Sequence, residues 1–251
     1  MDKTYIVPEW PAPKNVRACI TTRAGGVSLA PYASNNFGTH VGDNLAAVES
    51  NRKVLCESLG LKKSPQWLEQ VHGVKVVNAK DDKLVRTADA CFSTDIGQAC
   101  VAMTADCLPI FLCDRKGIQV AVLHCGWRSL AKGICAKALQ KFNSAPEQLM
   151  AYLGPAISQK YFEVGVDVLE AFFKSARTPS HADAIASAFI SGRRPLHFHA
   201  DIYELARAEL KSLGVNAIYG GEYCTYEQSE KFYSYRRDGV TGRMAHVIWL
   251  E

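Results

Sequence analysis

Three short polar segments interrupt apolar runs of the sequence and carry the side chains best suited to chemistry. The segments are residues 70–73 around His72, residues 105–109 around Cys107, and residues 124–128 beginning at His124. Strand ends at one edge of a sheet are where α/β proteins gather their site residues. If the three ends meet, they present imidazole, thiolate and imidazole, which suit zinc and leave a fourth position open for water. The sequence therefore predicts a zinc site at His72, Cys107 and His124, although each of them alone is also compatible with a hydrogen-bonded histidine or a buried thiol.

A second role for Cys107 is that of a nucleophile, with His72 or His124 as its general base. The two roles compete, because a thiolate committed to zinc is a weakened nucleophile. Both hypotheses stay open at the level of the sequence.

The third segment also predicts an anion site. The strand that ends at His124 is followed by Gly126 and by a helix that we expect over residues 129–142. Backbone N–H groups at the start of a helix, next to the guanidinium of Arg128, would suit an oxyanion or a phosphate. The alternative is that Arg128 forms an ion pair with a carboxylate such as Asp106, which is itself a candidate proton shuttle.

The elements that must position these side chains can be read from the hydrophobic pattern. Apolar runs suited to buried strands span residues 16–22, 98–104, 110–113, 118–124 and 244–250. Residues 114–117, with the sequence DRKG, predict a hairpin turn between the third and fourth runs, which makes part of the sheet antiparallel.

Helical patterns lie between the strands. Asn44 is a predicted N-cap for a helix that Gly60 ends, and Asp201 is a predicted N-cap for a helix that Gly214 ends. No internal repeat or linker divides the chain. The predicted fold class is therefore α/β (α+β), with a single domain over residues 1–251 in which helices flank mixed β-sheets.

Composition restricts the class of protein further. Hydrophobic residues make up 48% of the 251 residues, enough for a substantial core. The net charge of +4 suits an anionic small molecule but lacks the concentrated basic surface of a nucleic-acid binder. No stretch approaches the roughly 18 apolar residues of a membrane span, and the charged, proline-containing N-terminus leaves no room for a signal peptide. With nine cysteines, we expect a reducing, cytoplasmic location without disulfides.

Motifs along nearly the whole chain resemble those of one family. They are residues 21–28 (TTRAGGVS), 41–43 (VGD) with 51–52 (NR), 70–73 (QVHG), 105–109 (ADCLP), 124–128 (HCGWR), 153–157 (LGPAI), 224–225 (CT) and 232–238 (FYSYRRD). The sequence resembles the laccase-domain family, first described as multicopper polyphenol oxidases and also called peptidoglycan editing factors, whose members have been assigned purine nucleoside phosphorylase activity. Two positions depart from the family pattern, with Cys125 in place of Ala and Ser129 in place of Gly. Neither removes a predicted ligand, but Cys125 adds a thiol next to the site.

The resemblance implies both a fold and a chemistry. The implied fold is similar to the catalytic fold of the cysteine-hydrolase toxins, and the family's metal ligands fall on His72, Cys107 and His124, with zinc as the metal and copper as the alternative. The implied activity is phosphorolysis of purine nucleosides (adenosine, inosine and methylthioadenosine), with adenosine deamination as a side activity. The partners would then be a nucleoside and phosphate, and we expect a monomer that binds neither nucleic acid nor membranes.

Four further residues in family-matching parts of the chain are expected to bind the substrate. They are Arg23, Asn36, Tyr161 and Arg236. Their side chains offer the hydrogen-bonding groups that a polar nucleoside requires. We expect all four to line the same cleft as the metal ligands.

Other functions stay open beside this one. The first is editing of a peptidoglycan precursor by a cysteine hydrolase, with Cys107 as the nucleophile and zinc as an inhibitory or structural occupant. A copper phenol oxidase is disfavoured, because multicopper sites need clustered His and Cys ligands. Of the seven histidines, His181, His197, His199 and His246 lie far from the motif positions. A binding module without catalysis is the remaining alternative.

Overall fold

The computed structural model describes residues 4–251, and the strands and helices of that part alternate along the chain. The strands are β1 Tyr5–Ile6, β2 Val16–Thr21, β3 Leu68–Glu69, β4 Val76–Asn78, β5 Arg86–Thr87, β6 Ala90–Ser93, β7 Cys100–Thr104, β8 Leu108–Asp114, β9 Val120–Cys125, β10 Leu149–Leu153, β11 Glu163–Gly165, β12 Phe189–Ser191, β13 His197–Ala200, β14 Ala217–Gly220 and β15 Met244–Leu250. The helices are α1 Leu45–Ser58, α2 Trp127–Ala131, α3 Ile134–Leu139, α4 Val166–Lys174, α5 Pro179–Ser187, α6 Ile202–Ser212 and α7 Tyr235–Asp238, with single turns of 3-10 helix at Pro146–Gln148 and Gln159–Tyr161.

Two sheets form the centre of the fold. A six-stranded sheet has the order β14-β10-β8-β9-β6-β4, in which the end pairs β14/β10 and β6/β4 are parallel and the inner pairs antiparallel. A four-stranded antiparallel sheet has the order β1-β2-β15-β7. Smaller sheets are formed by β11-β13-β12 and by β3-β5. The mixed sheets and flanking helices confirm the predicted fold class of a single α/β domain.

Side chains of β8 and β9 alternate between two cores, as the period of a strand requires. Ile110 and Leu123 face the helical side and pack in one cluster with residues of α2, α3 and α6. Phe111 and Val122 face the opposite way and pack against the four-stranded sheet through residues such as Ile248. Burial of each such large apolar side chain contributes about 1.5–3 kcal/mol. The six-stranded sheet is therefore covered by helices on one face and by the second sheet on the other.

The outer face of the four-stranded sheet is covered by α1. Leu55 of this helix packs in one buried cluster with Val101 of β7 and Val247 of β15. The molecule thus has four layers, in the order helices, six-stranded sheet, four-stranded sheet and α1. No helix within residues 4–251 combines the length and the apolar content needed to cross a membrane.

Most predicted elements are confirmed, with small shifts at their ends. The run 244–250 is β15, and the turn after Asp114 joins the antiparallel pair β8 and β9. The Asn44 side chain accepts the N–H of Ala46 at the start of α1, and Asp201 caps α6 in the same way. Both are ordinary N-caps, which is why the sequence signals them clearly.

The helix predicted over residues 129–142 is wrong in its start and its continuity. It begins with Gly126 as its N-cap rather than at Ser129, whose buried hydroxyl lies inside α2. The chain then breaks at Gly133, which has a φ of 84° in the left-handed region that favours glycine. Two short helices, α2 and α3, replace the single long one.

Candidate metal centre and active site

His72 lies in a loop that one buried carboxylate holds in place. The loop follows β3, and His72 has a φ of 57°, which is uncommon for a residue other than glycine. The backbone N–H groups of residues 71–73 donate to the carboxylate of Asp89 at 3.3, 2.9 and 2.7 Å. These hydrogen bonds hold the loop, and with it the imidazole of His72, in a fixed position.

Gln70 ties the same loop to β7. Its side-chain amide donates to the carbonyl of Met103 at 2.8 Å and accepts the N–H of Met103 at 2.7 Å. These two hydrogen bonds resemble the ones that the backbones of two paired strands exchange. Because Cys107 lies in the short connection between β7 and β8, the Gln70 amide couples the loop of His72 to the strand that leads to Cys107.

His124 is a buried residue of β9, opposite Pro109 of β8. Its Nδ1 atom lies 2.9 Å from Oδ1 of Asp89. An ionised carboxylate only accepts hydrogen bonds, so Nδ1 carries a proton, and Nε2 is the ring nitrogen that a metal can bind once it has lost its own proton. Ligand histidines in metal sites are oriented by this kind of carboxylate contact.

The three predicted ligands meet at one point. One ligand atom from each of His72, Cys107 and His124 lies within 4.8 Å of the others. Sγ of Cys107 is 3.7 Å from Nε2 of His72, and the two imidazoles meet edge to face with centroids 4.7 Å apart. Ligand atoms around one tetrahedral zinc would be about 3.3–3.6 Å apart, given its usual bond lengths to nitrogen and sulfur. The donor set therefore fits a single zinc ion after only small movements.

Asp89 is a residue of the candidate site that the sequence did not reveal. It is completely buried just before β6, and its carboxylate contacts the backbone of His72 and the ring of His124. Its one signal in the sequence is a charge within the apolar stretch 88–92, because a fully buried aspartate is rare without partners. Nothing in the sequence shows which partners those are.

Without a metal, the site stabilises charge separation between Cys107 and His124. Burial opposes ionisation of the thiol, but the charge of His124 and hydrogen bonds from both histidines outweigh burial and lower the pKa of Cys107 to about 6. Burial likewise lowers the pKa of His124, whereas the Cys107 thiolate and Asp89 raise it, with a net result of about 9. Burial raises the pKa of the Asp89 carboxyl, but hydrogen bonds from His124 and Gly73 outweigh it and leave the pKa below its usual range.

Cys125 is not one of the three clustered donors, although it lines the same cleft as Cys107. As the next residue of β9 after His124, it projects to the opposite face of the sheet, into the helical core. Burial, together with its hydrogen bond to Cys135, raises the pKa of Cys125 well above its usual range. Cys107 is therefore the thiol of the site.

Gly126 provides the space in which the ligands sit. A Cβ atom at this position would lie 2.6 Å from Cδ2 of His72 and 3.2 Å from Sγ of Cys107. The backbone of Gly126, with a φ of −59°, is one that any residue can adopt. Glycine is thus required here by space and not by conformation.

Two of the predicted ligands, His72 and Cys107, line a cleft of about 370 Å³. Its apolar lining includes Ile157, Phe162, Val164, Val168 and Ile202, and its polar lining includes Asp106, Arg128, Glu163, Asp167 and Arg236. A concave site that combines apolar side chains with several polar groups is typical of small-molecule sites.

Asp106 lines the cleft with both of its carboxylate oxygens occupied. It accepts hydrogen bonds from the hydroxyls of Thr225 at 2.6 Å and Ser234 at 3.0 Å, and from the backbone N–H of Arg236 at 2.7 Å. It does not pair with Arg128, as one alternative predicted. These contacts hold the start of α7 against the cleft.

Arg128 is exposed at the cleft and free to bind a ligand. Its guanidinium carbon lies 4.3 Å from the centre of the Trp127 ring, and its side chain has no hydrogen bond or ion pair within residues 4–251. The guanidinium of the predicted anion site is therefore available. The helix predicted beside it is short, because α2 has only five residues.

Tyr161 and Arg236 border a second groove of about 910 Å³ beside the cleft. Arg236 lines both cavities, and its guanidinium donates to the carbonyl of Glu163 at 3.0 Å. Tyr161 lines only the second groove, where it stacks on Tyr226 with ring centroids 4.3 Å apart. Of the two, Arg236 alone is therefore placed where predicted.

Arg23 and Asn36 lie outside the cleft, which corrects the expectation that they line it. Arg23 donates to the backbone carbonyls of Ala33 and Ser229. Asn36 is completely buried, and its amide bonds Asp43, Gly38 and the backbone of Arg243. Both side chains hold loops together, and that role accounts for their polar groups.

Comparison with known proteins places the chain in a family. The sequence pattern of the family described as Multi-copper polyphenol oxidoreductase laccase matches residues 17–251. The chain belongs to this laccase-like family. The family resemblance predicted from the sequence motifs is thereby confirmed.

Relatives of this laccase-like chain match nearly its full length. It is 48% identical over 247 residues to Purine nucleoside phosphorylase PA4543 of Pseudomonas aeruginosa, which covers 98% of each chain. It is 48% identical over 246 residues to Purine nucleoside phosphorylase YfiH of Escherichia coli (strain K12), again covering 98% of each. Among solved structures, Neisseria meningitidis protein NMB0706 is similar with a TM-score of 0.92 and 46% identity, covering 99% of both chains. YlmD from Geobacillus stearothermophilus is similar with a TM-score of 0.91 and 28% identity, covering 100% of this chain and 97% of that one.

Proposed function

We propose that this laccase-like chain is a zinc-dependent purine nucleoside phosphorylase. Its substrates would be adenosine, inosine and methylthioadenosine, with deamination of adenosine as a side activity. The observation that carries the proposal is the 48% identity, over 98% of both chains, to relatives named purine nucleoside phosphorylase. The cleft supports the proposal, because His72 and Cys107 of the possible metal site and the unpaired guanidinium of Arg128 all line it.

Zinc is the metal that suits the donors of this chain. His72, Cys107 and His124 would hold it, with Asp89 fixing the ring of His124 and Gly126 leaving the space. When bound, zinc would supply Lewis acidity toward an oxygen of the reactants. The three donors are the one cluster of this kind in the described residues 4–251. A single cluster fits one zinc ion, or one copper ion in its place, better than it fits the several copper ions of a multicopper oxidase.

The reaction requires a site that binds both phosphate and the purine base of the nucleoside. An oxygen of phosphate attacks the anomeric carbon, the bond from that carbon to the purine nitrogen breaks, and the base leaves with the electron pair and takes up a proton. Arg128 would hold the phosphate through its planar fork. The apolar wall with Phe162 and Val168 would exclude water from the base. We assign Asp106 the task of ordering the segment at Arg236, since its oxygens are engaged.

A second candidate is the cysteine hydrolase that edits a peptidoglycan precursor. The observation that favours it is the lowered pKa of Cys107, about 6, next to His124. In metal-free protein this pair has the arrangement of an activated nucleophile and its base. Metal binding separates the candidates, because a thiolate that serves as a ligand is poorly available for attack.

The experiment that tests the proposal combines metal content with phosphate dependence. Protein purified without added metals should contain about one zinc per chain. It should release base from inosine only when phosphate is present, and Cys107 should resist alkylation while zinc is bound. Rapid alkylation of the metal-loaded protein, with no dependence on phosphate, would support the hydrolase instead. A Cys107→Ala variant with full zinc content would remove Cys107 from the ligand set.

We also propose that the chain works in the cytoplasm as a monomer. All nine cysteines are free thiols, as a reducing compartment favours.

A further inference from the structure

One carboxylate on the wall of the cleft has no hydrogen-bond or ion-pair partner among the described residues. Asp167 lies in the first turn of α4 and lines the cleft. Its side chain has no hydrogen bond or ion pair within the described part of the chain, residues 4–251. The two other carboxylates of the cleft are engaged, Asp106 by three donors and Glu163 by Arg194 at 2.9 Å.

The backbone next to Asp167 leaves space for this carboxylate on the cleft wall. A Cβ atom on Gly165 would lie 2.7 Å from Oδ1 of Asp167, so the carboxylate occupies the place of a side chain at Gly165. Gly165 has a φ of −82°, which any residue can adopt. Since Gly165 also lines the cleft, Asp167 presents its oxygens at the cleft wall.

The surroundings of Asp167 suit the flat ring of a purine. Phe162, Val164 and Val168 are buried apolar residues on the same wall, and Trp127 lines the cleft as well. An aromatic ring that packs on such a wall still needs a partner for the polar atoms on its edge. An unpaired carboxylate at the wall can supply an acceptor, and an ionised carboxylate supplies nothing else.

The two main substrates of the proposed function each offer a donor that such an acceptor can bind. The six-membered ring of adenine carries an exocyclic amino group, and that of hypoxanthine carries an N–H. Unsubstituted purine carries neither. One carboxylate can therefore accept a hydrogen bond from the six-membered ring of adenine or of hypoxanthine. It cannot do so from that of unsubstituted purine, and it discriminates against this base.

We infer that Asp167 recognises the purine base by accepting the N–H donor on the edge of its six-membered ring. This inference rests on the proposed phosphorylase function and assigns a specificity-determining residue to it. Asp167 would select 6-amino and 6-oxo purine nucleosides, and it would not act in the bond-breaking step.

The test compares phosphorolysis of adenosine, inosine and purine riboside by the wild type and by Asp167→Ala. The wild type should prefer adenosine and inosine over purine riboside by roughly tenfold in kcat/KM, the value of one hydrogen bond to a charged group. In Asp167→Ala the preference should disappear, through loss of activity on adenosine and inosine while activity on purine riboside is retained. A preference that survives the substitution would overturn the inference.

Glu170→Ala is the matched control. Glu170 lies on the same helix, pairs with Lys174 at 3.7 Å and does not line the cleft, so its removal should leave the preference unchanged. The thermal midpoints of both variants show whether the fold is kept.

Equilibrium binding of free adenine and free purine, measured by calorimetry, provides a readout that does not depend on turnover. Asp167→Ala should bind adenine roughly tenfold more weakly than the wild type does, with the binding of purine unchanged. If the wild type releases no base from any nucleoside, the proposed function fails, and the binding experiment still decides the role of Asp167. Equal loss of binding for adenine and purine would refute that role.

Discussion

Asp89→Asn tests most sharply how the fold holds the metal ligands. Oδ1 of Asp89 serves the N–H of His72 and the ring of His124, whereas Oδ2 serves the N–H groups of Val71 and Gly73. An asparagine keeps the shape but places an N–H₂ group where one of these oxygens was. In either orientation two donors lose their acceptor, so either the loop of His72 or the ring of His124 is released.

The magnitude follows from those two lost hydrogen bonds. Each buried donor without a partner costs about 1–3 kcal/mol, so the loss of two should lower the free energy of unfolding by about 2–6 kcal/mol. Loss of a carboxylate that orients a ligand histidine typically weakens metal binding about 10–100-fold. Zinc affinity is measured by competition with a chromogenic chelator, and stability by urea unfolding of the metal-free protein.

Asp114→Ala, which removes a buried carboxylate far from the metal ligands, separates the two effects. Asp114 is equally buried and accepts the N–H groups of Ile118 and Gln119 at 2.9 and 3.0 Å, in the turn between β8 and β9. Its substitution should destabilise the fold by a similar amount and leave zinc affinity as in the wild type. The reasoning is refuted if Asp89→Asn binds zinc with the affinity of the wild type.

Four other predictions follow from the site. Arg128→Lys keeps the charge but loses the fork, and it should raise the phosphate requirement roughly tenfold, about 1.4 kcal/mol, in steady-state kinetics; an unchanged requirement would make Arg128 a surface residue. In metal-free protein, the rate of alkylation of Cys107 should rise with pH and reach half its maximum near the pKa of about 6, because the thiolate forms above that pKa. A midpoint near the usual pKa of a thiol would contradict the proposed pairing with His124. Gly126→Ala should weaken zinc binding about tenfold in the chelator assay, since the new methyl group displaces a ligand ring, and wild-type affinity would show that the ring moves aside freely. Arg23→Ala should lower the thermal midpoint but leave kcat/KM for inosine unchanged, and a loss of activity without a loss of stability would return Arg23 to the substrate site.

The sequence was most informative where local chemistry is sufficient. The caps at Asn44 and Asp201 act within one helical turn, so their signals need no knowledge of the fold. The ligands His72, Cys107 and His124 could be chosen because each is a metal-binding type at the end of an apolar run, and the structure brings them together.

What the sequence did not predict depends on distant contacts. Asp89 acts on partners 17 and 35 positions away, and only the paired strands bring them within reach. Gly126 resembles a simple turn residue until the ring of His72 is placed beside it. Arg23 and Asn36 lie in or near family-matching segments, but hydrogen bonds to backbone and buried neighbours, rather than a ligand, account for their polar groups.

The product of inosine cleavage is the most direct test of the central claim. Phosphorus NMR of a reaction with inosine, phosphate and the zinc-loaded protein should show ribose 1-phosphate accumulating in a one-to-one ratio with hypoxanthine. Free ribose with no consumption of phosphate would contradict the account, as would the absence of cleavage by protein that contains a full equivalent of zinc.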